Sequence, residues 1–217
     1  MTGATTAVSA LLLDLDGTLV DSEPLHRRGY ESFFAHKGWE VPDLSVFTGR
    51  RAVDVFATEH GPWDGLDPEA VLAEVLEHVP DEAARAVPGA RELIEAARAG
   101  GTPVAIVTSA GPDWVQRSLV ESLTLEVDSV DLVVTARDVE DGKPHPAGFA
   151  LACRRLDADP AAALAAEDSP AGVRAALGAG VRQVHGIGTS HPREVLLDAG
   201  AVEVHGDLRP LLPLLRA

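Results

Sequence analysis

Two aspartates separated by a single residue open the run Asp14-Leu15-Asp16-Gly17-Thr18, directly after three leucines. Carboxylates at i and i+2 repel each other unless a cation or a shared proton compensates. Gly17 lets the backbone turn tightly there, although a strand-terminating turn with Asp as turn former explains the same residues equally well. Further on, Thr108-Ser109 follows the apolar run Val104–Val107 and offers a hydroxyl and backbone N–H groups suited to a phosphate oxygen. Taken alone, that pair reads better as a helix N-cap ahead of Pro112. Lys143 stands in Gly142-Lys143-Pro144-His145-Pro146, a segment whose prolines fix the backbone. Its ammonium is a compact point charge able to neutralise a transferring phosphoryl group. Of the 18 basic residues only Lys37 and Lys143 are lysine, which weighs against a merely solvated role for Lys143; His145 stays unassigned. Finally, Glu167-Asp168 precedes Ser169-Pro170, which has the form of a helix N-cap and first helical residue. Paired carboxylates suit a hard cation such as Mg²⁺, while two acids favoured by a helix dipole is the plainer reading.

To act together, these four clusters must reach one place. Leu11-Leu12-Leu13, Val104–Val107 and Leu132–Val134 have the length and branching of buried parallel strands, with Ala163–Ala166 and Val181–Ile187 as weaker candidates. Between them, Ala90, Leu93, Ile94 and Ala97 mark a helical stripe, as do Val173, Ala176, Leu177 and Gly180, and Phe149, Cys153 and Leu156 mark another. The expected fold class is α/β, a Rossmann-like parallel sheet with helices on both faces. In such sheets the ligand crevice lies beyond the carboxyl ends of the strands, where each polar cluster sits.

The interval from Asp14 to Pro103 is too long for one crossover connection. Asp21–Gly38, Arg50–His60 and Pro68–Val79 read as helices within it, and Phe33, Phe34, Trp39, Phe47 and Phe56 could give them a core of their own. The expected division is a small α-helical cap domain over residues 21–86, inserted after the first strand of an α/β core made of residues 1–20 and 87–217.

Composition excludes several classes of partner. With 34 acidic against 18 basic residues the formal charge is −16, a field that repels nucleic acid and anionic membranes. A phosphate site must therefore be screened locally by a metal, by basic side chains or by helix-start amides. No apolar stretch is long enough to span a bilayer, Cys153 is the only cysteine, and Met1–Ser9 reads as a loose tail without the marks of a signal peptide. A cytoplasmic protein is expected, monomeric by default. The apolar run Leu211–Leu215 could pack on the core or on a partner.

Taken together and in this order, the clusters resemble the haloacid dehalogenase superfamily: DxDGT after the first strand, Thr or Ser after the second, Lys before a helix, and an acidic pair after the fourth. The string Asp14 to Glu23, DLDGTLVDSE, looks like the subgroup with a helical cap inserted after the first strand. That resemblance implies a Mg²⁺-dependent phosphatase in which Asp14 attacks phosphorus and forms an aspartyl-phosphate. Asp16 would protonate the leaving alkoxide and then deprotonate the hydrolytic water. Thr108 and Lys143 would bind the transferring oxygens, with Mg²⁺ held by Asp14, the Asp16 carbonyl, Asp168 and, directly or through water, Glu167.

Phosphonate hydrolases and true dehalogenases lack the second acid, which Asp16 supplies here. A β-phosphoglucomutase-like activity is the closer rival, since His26 matches a cap-side histidine of those enzymes; a binding module that has lost its chemistry is another. The segment Thr48-Gly49-Arg50-Arg51-Ala52-Val53-Asp54 looks more like the cap loop of sugar and polyol phosphatases. The expected substrate is thus a small phosphorylated metabolite, met by Glu23, His26, Arg50, Arg51 and Ser109; a solvated helix start explains the arginine pair equally well.

Overall fold

In the computed structural model residues 8–216 are described, so most of the expected N-terminal tail, Met1–Ala7, lies outside the described residues. Leu11–Leu13 (β1) and Val20–Asp21 (β2) precede three helices, Glu23–Lys37 (α1), Ala52–Thr58 (α2) and Pro68–His78 (α3). Arg85–Ala86 (β3) leads back, followed by Ala90–Ala99 (α4), Val104–Val107 (β4), Pro112–Arg117 (α5) and Leu132–Val134 (β5). The chain continues through Ala147–Arg155 (α6), Leu164–Glu167 (β6), Pro170–Gly178 (α7), Gln183–Ile187 (β7), Arg193–Asp198 (α8) and Glu203–His205 (β8).

Six of these strands form one parallel sheet in the order β5-β4-β1-β6-β7-β8. β1 sits inside it, between β4 and β6, and its three leucines are fully buried because both faces are covered. Side chains alternate across the strand. Leu11 and Leu13 therefore join Leu93 and Ile94 of α4 on one face, while Leu12 joins Phe149 of α6 and Val173 of α7 on the other. This is the doubly covered α/β sheet expected from the alternation of short apolar runs and helical stripes.

A third apolar cluster belongs to α1, α2, α3 and the 3-10 turn Leu44–Phe47 between α1 and α2, with Phe33, Phe34, Phe47, Val55, Phe56, Val71 and Val75 buried and Trp39 packed at its margin. Trp63 completes that cluster, its Nε1 donating to the Glu59 carbonyl at 3.0 Å. At the base, β2 and β3 pair antiparallel, Val20 with Ala86 and Asp21 with Arg85, where the chain leaves and rejoins the sheet domain.

Several elements differ from the sequence reading. α2 is shorter because Arg51 stands extended ahead of it, with φ −67° and ψ 126°. α7 stops at Gly178, before the left-handed Gly180 at φ +95°. β8 was not anticipated: Glu203-Val204-His205 has one apolar residue, as an edge strand allows. The C-terminal run winds as a 3-10 helix over Arg209–Arg216, with Leu211 buried against this chain's own core. No helix among the described residues is long and apolar enough to cross a membrane.

Candidate active site

Parallel pairing fixes which side chains meet. Leu13 is in register with Ile106 on one side and Ala166 on the other, so the residues that follow emerge together at one rim. The Asp14 N–H donates to the Ala166 carbonyl at 3.1 Å, which puts Asp14 beside Glu167. Lys143, on the loop between β5 and α6, reaches the same point. Its Nζ lies 2.5 Å from Asp14 Oδ1 and 2.5 Å from Glu167 Oε1, and all three residues are buried.

One ammonium among three buried carboxylates leaves excess negative charge. Burial pushes the Asp14 carboxyl up to about 8 against the pull of Lys143, with the neighbouring Glu167 and Asp16 raising it further. Asp168 is likewise raised well above the carboxylate range, first by burial, then by Asp14 and Glu167. For Lys143 burial works in the opposite sense, but the Asp14 and Glu167 carboxylates outweigh it and hold the lysine charged.

This arrangement fits a divalent cation. One oxygen each from Asp14, Glu167 and Asp168 lie within 4.8 Å of one another. Asp168 Oδ1 is buried with no hydrogen-bond partner among the described residues, as a ligand oxygen awaiting a metal would be. Glu167, by contrast, is already engaged: Oε1 accepts from Lys143, and Oε2 accepts from Ser169 Oγ at 3.2 Å. An all-oxygen donor set suits a hard cation.

The turn after β1 is shaped around Asp168. Gly17 has φ +78°, and a Cβ there would stand 1.9 Å from Asp168 Oδ2, so a larger residue could not occupy this turn unstrained. The loop after β7 closes the other side: Thr189 Oγ1 donates to the Gly17 carbonyl, Ser190 hydrogen-bonds Asp168, and His191 Nδ1 lies 3.1 Å from the Asp168 carbonyl.

Asp16 faces a cleft of about 360 Å³ between cap and sheet rim. Ser22 Oγ donates to Asp16 Oδ1 at 2.6 Å and Trp114 Nε1 donates to the same oxygen at 2.8 Å. With Oδ1 doubly engaged, Oδ2 is the oxygen free to carry a proton. Thr108 Oγ1 accepts from the Ala110 N–H at 3.0 Å, leaving its own hydrogen to donate. It does not cap α5, whose N-cap is Gly111.

The sequence-predicted residues thus fall into two groups and one exception. Asp14, Lys143, Glu167 and Asp168 converge at the rim. Asp16, Glu23, His26, Arg50, Thr108 and Ser109 line the cleft. Burial raises the Glu23 carboxyl, with His26 and Arg27 opposing. Arg51, expected at the substrate beside Arg50, is a correction. Its guanidinium turns away and donates to the carbonyls of Ala136, Val139 and Glu140, because the extended N-cap sends neighbouring side chains to opposite sides. Sequence reasoning missed Ser22, Trp114 and Ser190. A tryptophan soon after the Thr108-Ser109 loop was the one visible signal among them.

A doubly covered parallel sheet with two rim aspartates, a buried lysine, an acidic pair and a helical cap defines a hydrolase of the phosphoryl-transfer kind. The chain belongs to the haloacid dehalogenase-like hydrolases, whose family model matches residues 8–180, and it is a phosphoric monoester hydrolase. Validoxylamine A 7'-phosphate phosphatase of Streptomyces hygroscopicus subsp. limoneus is 37% identical over 193 residues, covering 87% of this chain and 89% of that protein. Hexitol phosphatase A of Escherichia coli K12 is 34% identical over 173 residues, 78% of each chain. Among solved structures, CbbY from Rhodobacter sphaeroides in complex with phosphate superposes with a TM-score of 0.81 at 26% identity, covering 97% of this chain and 100% of that one.

Proposed function

We propose that this enzyme hydrolyses the phosphate ester of a small polyhydroxylated metabolite, a sugar or polyol phosphate, with Mg²⁺ and through an aspartyl-phosphate on Asp14. The observation that carries the reading is the meeting of Asp14, Lys143 and Asp168 at one rim, below a cleft that Asp16 also lines.

An Asp14 carboxylate oxygen attacks phosphorus in line, forming the acyl phosphate as the bond to the leaving oxygen breaks. Asp16 gives that oxygen its proton. In the second step Asp16 takes a proton from water, the water oxygen attacks phosphorus, and Asp14 is released with inorganic phosphate. Lys143 and the Thr108 hydroxyl hold the equatorial oxygens. Asp14, the Asp16 carbonyl and Asp168 would hold Mg²⁺, which supplies neutralising charge at the phosphoryl group; Glu167 contributes through water or by orienting Lys143. Cap closure excludes bulk water from the acyl phosphate.

Three of the cap's cations weigh against the mutase reading, in which a second phosphate must be held there, while Arg27, which lines the cleft, pairs with Glu23 at 3.7 Å. Lys37 pairs with Glu74 at 2.5 Å, Arg50 with Glu59 at 2.8 Å, and Arg51 is engaged with the core loop. The polyol class rests on the phosphatases that this chain resembles, a validoxylamine phosphate phosphatase and a hexitol phosphatase.

The test is a panel of sugar and polyol phosphates with and without Mg²⁺, including β-glucose 1-phosphate primed with its bisphosphate. Release of inorganic phosphate that requires Mg²⁺ and vanishes in Asp14→Asn is the expected result. Accumulation of glucose 6-phosphate would establish the mutase instead, and ligand binding without turnover a binding module.

A further inference from the structure

We infer that Arg51 is a positioning residue that locks the loop carrying Lys143 to the cap, so that the lysine is in place when the cap is docked. This rests on the phosphatase reading for its kinetic consequence, though not for its geometry.

Arg51 stands at the start of α2, in the helical insertion, yet its guanidinium is spent on the sheet domain. Nη1 donates to the Ala136 carbonyl at 3.1 Å and to the Val139 carbonyl at 3.2 Å, and Nη2 donates to the Glu140 carbonyl. Three carbonyls of one loop thus converge on one planar cation, a match to guanidinium geometry that a lysine could not reproduce. Asp54 Oδ2 accepts from Nε at 2.9 Å and fixes the rotamer. The side chain is 12% exposed, so the contacts to Ala136, Val139 and Asp54 are partly sheltered, while the one to Glu140 lies at the surface.

The same loop ends at Lys143, three residues beyond Glu140. Gly142 between them lies flush against Arg51: a Cβ there would stand 2.7 Å from Arg51 Nε and 2.8 Å from Asp54 Oδ2. From Gly142 the chain passes directly to the lysine whose Nζ touches Asp14 and Glu167. At its other end the loop is pinned to β5 by Asp138, which accepts from the Thr135 N–H at 2.9 Å and hydroxyl at 2.8 Å. Between these anchors the carbonyls point at the cap and meet Arg51. With the guanidinium removed they lose those partners, and the segment leading to Lys143 is free to shift. A misplacement of about 1 Å at a transferring group costs about 100-fold in rate.

The position of Lys143 is thereby tied to the cap, which also lines the leaving-group side of the cleft. A substrate that holds the cap down through its hydroxyls would assemble the phosphoryl-binding charge in the same motion.

The experiment compares wild type, Arg51→Ala, Arg51→Lys, Gly142→Ala and Arg50→Ala by steady-state kinetics on several phosphoesters and by hydrogen exchange of residues 136–143. For Arg51→Ala the expected result is a kcat lower by about 100-fold on every substrate, with KM within about threefold of wild type and faster exchange in that loop. Arg51→Lys restores part of kcat. Gly142→Ala, which keeps the arginine but wedges it away, reproduces the loss and serves if Arg51→Ala does not fold. Arg50→Ala leaves loop exchange unchanged. A rise in KM with kcat intact would make Arg51 a substrate contact and overturn the inference, as would unchanged exchange. If wild type turns over no phosphoester, the phosphatase reading fails while the exchange measurement still decides the lock.

Discussion

Removing divalent cations should give this protein an inverted pH dependence of stability at its active site. The carboxyl of Asp14 is raised from 3.8 to about 8, because burial disfavours its anion and Glu167 adds repulsion that Lys143 only partly relieves. A folded-state pKa above the unfolded value means that, between the two, the native protein binds the extra proton. Stability from this group is therefore present at low pH and lost as pH rises. One proton held in excess costs about 1.4 kcal/mol per pH unit, so from about pH 5 to pH 7 the metal-free protein loses about 3 kcal/mol. For a chain of this size each kcal/mol moves Tm by about 2–4 °C, which predicts a fall of about 6–12 °C. Thermal melts in EDTA across this range measure it, with Asp14→Asn alongside. The variant removes one of two raised carboxyls, Asp168 being the other, so it should make the slope shallower while raising Tm at the alkaline end. On the proposed metal site added Mg²⁺ would bind the anionic cluster, so its stabilisation should grow with pH. A wild-type slope matched by Asp14→Asn, or a Mg²⁺ shift independent of pH, would refute the reasoning.

Other perturbations test single contacts. Trp114→Phe removes the N–H that meets Asp16 Oδ1 at 2.8 Å but keeps a ring against His26; a typical hydrogen bond contributes about 0.5–1.5 kcal/mol, so kcat should fall by about 2- to 10-fold, and an unchanged kcat would discount it. Gly17→Ala forces a left-handed residue, at about 1–2 kcal/mol, and drives a methyl into Asp168; calorimetry should find Mg²⁺ affinity lost, and wild-type affinity would contradict the close contact. His185, beside His205 at 3.1 Å, is pushed down to about 4 by burial and then by that neighbour, with Glu203 opposing. A depressed histidine gives stability that is lost as pH falls from 6.5 towards 4, so urea midpoints of His185→Gln should decline less across that window than those of wild type. Equal declines would show that His185 does not carry the effect.

How much of this was legible in the sequence follows from how each residue is positioned. Asp14, Thr108 and Glu167-Asp168 ride on strands, and the hydrogen-bond register of a parallel sheet leaves little freedom: once Leu11–Leu13, Val104–Val107 and the alanines before Glu167 are strands, the polar residues at their ends share a rim. Lys143 needed a further cue, its scarcity and its proline flanks. Ser22 and Ser190 carried no such cue and Trp114 only its place soon after the Thr108-Ser109 loop, since each acts through one contact set by how a helix or loop lies over the rim.

Arg50 and Arg51 show where reading by residue type ends. Both are arginines at a helix start, within reach of a cleft, and the sequence treats them alike. The backbone does not: with Arg51 extended as the N-cap, consecutive side chains leave on opposite sides, Arg50 towards Glu59 and the cleft, Arg51 towards three carbonyls of the core. Strand-borne chemistry survives small errors in geometry because register fixes it. On the cap a turn of one residue sends one arginine to the cleft and its neighbour to the core loop, so which of the two can meet a substrate is written in backbone dihedrals that composition and spacing do not encode.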